Sequence, residues 1–211
     1  MAALPQVLSF LAPSLRLLEL GSDGLSTAWS AITALQLLTG LTRLQAVNVL
    51  TSGAMVTISP ALMGMRQLQQ LDLQSTTMSA EAIAAIAPVL PALAGSLKHL
   101  NLSHCSINAE SAASALAPAL AQATGLVKLH LDGNGFGPQG AQWLVPVLSS
   151  LPYLRKTCLK SCRLGMQACM AVAHALKDGD SAWVHLGDNS VTCCSNEGYK
   201  LCSMAGICIR L

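Results

Sequence analysis

The chain of 211 residues carries 12 basic and 10 acidic side chains, and its net charge of +2 gives no reason to expect nucleic acid or an anionic membrane as a partner. Apolar residues make up 52% and charged ones only 10%, yet the longest apolar run, 82–97, contains Pro88 and Pro91 and falls short of the ~20 residues that span a bilayer. The opening stretch MAALPQVLSFLAPSL has no basic residue before Arg16, so it is read as the tail of a repeat rather than as a secretory signal.

One eleven-residue pattern then recurs. It has apolar residues at positions one, four and six, a small or polar residue at nine and an apolar one at eleven. The clearest copies are LKHLNLSHCSI from Leu97 and LVKLHLDGNGF from Leu126. In chain order the copies begin at Leu15, Leu44, Leu68, Leu97, Leu126, Leu154 and Ser181, spaced by 24 to 29 residues. A period of that size marks a solenoid.

Each copy predicts a short strand in which positions four and six point inward and three, five and seven outward. The strands are expected near 18–20, 47–49, 71–73, 100–102, 129–131, 157–159 and 184–186. Position twelve reads Ser26, Met55, Ser79, Asn108, Gly137, Gly165 and Thr192, and all but Met55 suit a helix N-cap. Helices are therefore expected near 27–38, 80–92, 109–122, 138–150 and 166–177. The second copy is short, and ISPALMGMRQL offers little more than one turn of helix, opened by Ser59 and Pro60. Helices ~10 Å across stacked over strands ~4.8 Å apart must curve the array, with the strands inside. The solenoid is expected over 1–192. Residues 193–211 lose the register, with NEGYKLCSMAGI read as a last convex helix. No polar capping repeat flanks the array, which points to a fragment or a degenerate end of a longer one.

The outward positions are where binding would occur. Position three runs Leu17, Ala46, Gln70, His99, Lys128, Lys156, Trp183, and position five runs Glu19, Asn48, Asp72, Asn101, His130, Cys158, His185. Position seven runs Gly21, Leu50, Gln74, Ser103, Asp132, Lys160, Gly187. The later copies supply the candidate partner-binding face: His99, Asn101, Lys128, His130, Asp132, Lys156, Cys158, Lys160, Trp183 and His185. Trp183 is its expected anchor, since aromatic residues dominate interface energetics. His130, Cys158 and His185 form a straight row with neighbours ~5 Å apart. Such a row converges poorly on the ~2.0–2.3 Å bonds of a tetrahedral zinc. No metal, cofactor or catalytic site is expected.

The tail cysteines Cys193, Cys194, Cys202 and Cys208 lack paired C-x-x-C spacing. GNGFGPQG, from Gly133, lacks the Lys-Ser/Thr ending of a phosphate loop. Trp29 and Trp143 fall in helical stretches. Cys105 and Cys162 stand at position nine, where Asn134 and Asn189 stand in other copies.

Over residues 15–191 this register resembles the leucine-rich repeat family, and its long period is similar to the ribonuclease-inhibitor type. The resemblance implies an inward-pointing ninth position, so the thiols of Cys105 and Cys162 are expected to be buried, which favours a reducing compartment, cytoplasmic or nuclear. It also implies a right-handed α/β horseshoe with parallel strands on the concave face and helices on the convex face. The function it implies is a protein-interaction module, not an enzyme, with another protein bound across several strands. Ran GTPase-activating proteins carry similar repeats, so a GTPase-activating role is the alternative. Arg16, Arg43 or Arg66 would then act near the strand-end loops.

Overall fold

The computed structural model describes residues 10–12, 14–20, 35–176 and 183–189, together with the backbone of 208–210. Strands β1 (Leu17–Glu19), β2 (Arg43–Gln45), β3 (Gln70–Asp72), β4 (His99–Asn101), β5 (Lys128–His130), β6 (Lys156–Cys158) and β7 (Trp183–His185) form one parallel sheet in sequence order. Strand β8 (Cys208–Arg210) pairs with β7 in the antiparallel sense, Trp183 facing Arg210. Expected and observed strands agree to within a residue in six of the seven copies.

The segments between the strands are helical, and polar side chains open them. Thr51 caps α1 (Ser52–Gly64) by accepting from the Ala54 N–H at 3.3 Å. Ser79 does the same for α2 (Ala80–Ile86) through Ala82, also at 3.3 Å. Asn108 accepts from Ser111 N at 2.9 Å to open α4 (Ala109–Ser111), which runs through a π-helical stretch, Ala112–Leu116, into α5 (Ala117–Gln122). A 3₁₀ turn at Pro138–Gly140 leads into α6 (Ala141–Ser149). Gly137 precedes that turn at φ 62, a conformation glycine adopts without a Cβ clash. The last described helix is α7 (Gly165–Ala175). An α/β solenoid results, and no helix among the described residues is long and apolar enough to cross a membrane.

Burial follows the register. Leu71, Leu100 and Leu129 at position four and Leu73, Leu102, Leu131, Leu159 and Leu186 at position six are all buried. The helices add Ala82, Ile83, Leu116, Leu120, Leu144 and Val172 from the other side. Fully burying one leucine contributes ~1.5–3 kcal/mol, so the ladder is the main source of stability.

Position nine closes the turns. Asn134 Oδ1 accepts from the N–H of Cys105 (3.2 Å) and of Ile107 (3.1 Å), while its Nδ2 donates to the carbonyls of Leu102 and Leu131, both at 2.9 Å. Asn189 repeats the arrangement on Cys162 (2.9 Å), Leu164 (3.2 Å), Leu159 (2.6 Å) and Leu186 (3.0 Å). The thiols of Cys105 and Cys162 donate backward to Leu73 and Leu131 carbonyls, each at 3.2 Å. Burial pushes the Cys105 thiol up to about 11 and Cys162 up to about 12. Both are buried, as their register predicts, and neither forms a disulfide among the described residues.

Three expectations are corrected. The second copy starts at Leu41, not Leu44. Ala46 and Leu50, expected outward, are buried, and Arg43 and Val47 are exposed instead. Ala46 stands where other copies carry leucine, so leucine spacing alone selects the wrong frame. With that frame corrected, the convex segment is no longer thin. Helix α1 runs for 13 residues, and Ser59 and Pro60 lie inside it. The helix expected over 80–92 breaks into α2 and α3 (Val89–Ala92). Pro91 has no N–H and its ring would clash with the carbonyl of Ala87, four residues back.

In the first copy only a 3₁₀ turn, Leu35–Leu37, is described of the helix expected at 27–38. Trp29, Lys177 and the C-terminal helix expected within 193–207 lie outside the described residues.

Candidate functional site on the concave sheet face

Parallel pairing in register turns two sequence positions into two continuous rows. His99, Lys128, Lys156 and Trp183 are successive Cα partners in one row. Asn101, His130, Cys158 and His185 are successive partners in the other. Asp132 and Lys160 stand two residues beyond their strands, where the chain turns out of the sheet. The ten candidate residues therefore do come together on one face, because the repeat spacing brings each onto the strand beside the last.

Their exposure differs. Lys128 and Trp183 are exposed, the tryptophan at 39%. His99, Asn101, His130, Asp132, Lys156, Lys160 and His185 are half-buried. Cys158 is buried at 4%, short between the two imidazoles of its row, so it forms floor rather than contact surface.

Several of these side chains are already engaged. Asp132 Oδ1 accepts the backbone N–H of Lys160 at 2.7 Å, which holds the carboxylate against the next repeat. Asn101 Oδ1 accepts from Ser103 N at 3.0 Å, and its Nδ2 donates to Gln74 Oε1 at 3.3 Å. A depression of about 230 Å³ opens between the rows, lined by Gln70, Asp72, His99, Asn101, Lys128, His130 and Lys156. Gln70 and Asp72 are additions to the sequence-derived set. They occupy the same outward positions one copy earlier, in a copy whose outward residues include no aromatic or basic side chain to single them out.

The histidines are held neutral. Desolvation is the main cause at His99, His130 and His185, and all three titrate below the ordinary value of 6.5. Lys128 then disfavours protonation of His99, and Lys156 that of His130 and His185. The face thus combines fixed ammonium groups with uncharged imidazoles and the carboxylates of Asp72 and Asp132.

One cluster was not legible in the linear ladders. Donor atoms of His130, Asp132 and Cys158 all lie within 4.8 Å of one another. The straight row His130–Cys158–His185 does not make this group. It forms because Asp132, two residues after His130, is turned toward β6 by its bond to Lys160. An aspartate two residues past one strand, with a cysteine ending the next strand, is the signal the sequence offers for it.

Residues 96–114 match a family model described as Leucine Rich repeat. No curated protein matches the chain. The matched segment is the copy containing β4 and α4, and the same strand–turn–helix unit recurs on both sides of it in one parallel sheet. The fold is therefore an α/β solenoid of such units, one of which matches the leucine-rich repeat.

Proposed function

We propose that the chain is a protein-interaction module that seats a partner protein on the concave sheet face, with no catalysis of its own. The observation that carries this reading is the in-register row His99–Lys128–Lys156–Trp183, which ends in an exposed aromatic ring. A tryptophan beside lysines and neutral imidazoles offers an apolar anchor with a polar rim, the composition of an interface centre. The 27- to 29-residue spacing of the later copies supports a ribonuclease-inhibitor-like subtype. Buried thiols at Cys105, Cys162 and Cys169 suit a reducing compartment, cytoplasmic or nuclear.

The partner is to be recovered by affinity capture and then measured against variants of the purified chain. Trp183→Ala is expected to weaken binding by ~2 kcal/mol or more, roughly thirtyfold. Lys156→Ala should act mainly on association rate and its salt dependence. Trp183 also faces Arg210 across the β7–β8 pair, so a purely structural role is the competing account. In that case Trp183→Ala lowers the melting temperature and leaves the affinity of the folded protein unchanged.

A GTPase-activating role is the second reading. Arg43 is exposed on β2, and its charge reaches His99 at the edge of the depression. Arg16 instead donates to the carbonyl of Gly40 at 3.3 Å. Stimulated GTP hydrolysis that is lost in Arg43→Ala would favour this role over simple binding.

A further inference from the structure

We propose that His130, Asp132 and Cys158 bind a divalent zinc-class cation at the C-terminal end of β5 and β6. The three donors come from adjacent strands, and each already lies within 4.8 Å of the other two. A tetrahedral zinc with bonds of ~2.0–2.3 Å places its ligand atoms ~3.3–3.8 Å apart, so closure needs side-chain movements of about an ångström. Such shifts are ordinary rotamer adjustments on the solvent side of a sheet.

The donor set selects the metal. One imidazole nitrogen, one carboxylate oxygen and one thiolate sulfur match the borderline preference of zinc or cobalt, whereas magnesium and calcium take oxygen. Asp132 is oriented by the Lys160 N–H on Oδ1, which leaves its second oxygen for the ion. This is the outer-shell support that ligating carboxylates use. On binding, the Cys158 thiol gives its proton to solvent, so a thiolate and a carboxylate supply two negative charges to a doubly charged ion. The site is then neutral, and the nearby Lys156 and Lys160 meet no added positive charge. The fourth position faces the concave surface, where a water or a side chain of a bound protein completes the tetrahedron.

The test is a Co²⁺ titration of the full chain kept reduced with a phosphine. One Co²⁺ per chain, a thiolate-to-cobalt charge-transfer band, and loss of that band on adding Zn²⁺ are expected. Cys158→Ser should abolish the band, and His130→Ala and Asp132→Asn should each weaken binding at least about tenfold. Circular dichroism confirms that each variant is folded. If Cys158→Ser does not fold, His130→Ala decides, since its half-buried outward side chain is not needed by the core. Absence of the band in the unaltered chain would overturn the proposal. So would a band and affinity that persist in His130→Ala, because the ion would then sit on other cysteines.

Discussion

Asn134 joins the turn of its own repeat to the turn of the one before. It does so with an amide that both accepts and donates. Removing it strands the N–H groups of Cys105 and Ile107 inside the buried turn. Each orphaned buried group costs ~1–3 kcal/mol, so Asn134→Ala is expected to lose on the order of 3–5 kcal/mol in denaturant unfolding. A loss below about 1 kcal/mol would mean that the turn relaxes to find other acceptors. His99 gives a pH signature. Desolvation and Lys128 hold its folded pKa below the ordinary 6.5, so the unfolded chain binds the proton more readily. Stability is therefore full above pH 6.5 and declines as pH falls from 6.5 toward the folded value. The melting temperature should drop over that range, and His99→Gln should flatten the drop.

At the level of single elements, strand positions were legible wherever leucine filled positions four and six, as in LKHLNL and LVKLHL. They were not legible where Ala46 replaced leucine, because a three-residue shift of frame then satisfied the same count of apolar residues. That slip also hid the start of α1, where Ser52 takes position twelve and the cap, Thr51, stands one residue before it. Thr51→Ala should cost about 1 kcal/mol through loss of the bond from the Ala54 N–H, and thermal unfolding of the variant measures it. The break at Ala87 and Pro88 was readable in principle, since Pro91 follows Ala87 by four residues. The rows of the candidate face were equally readable, being fixed by copy spacing alone. Asp132 reaching for Cys158 was not, because it depends on which way a turn side chain bends rather than on strand alternation.

Across the whole molecule, cysteine and asparagine alternate at position nine over the last four copies: Cys105, Asn134, Cys162, Asn189. Each asparagine serves the cysteine-bearing turn before it, through Cys105 and Ile107 in one case and Cys162 and Leu164 in the other. Over these four copies the array therefore has parity: its turns repeat every two copies, although its strands repeat every one. Excising 97–153 removes a cysteine copy with its asparagine copy and brings Thr76 next to Cys162, much as it now stands next to Cys105. Excising 126–153 removes less chain but sets two cysteine copies in succession, and the turn N–H groups of Cys105 and Ile107 then find no amide oxygen. The longer deletion is expected to unfold in one sharp transition and the shorter one to melt earlier and more broadly. Duplication of copies within this part of the chain is accordingly expected to be tolerated in even steps.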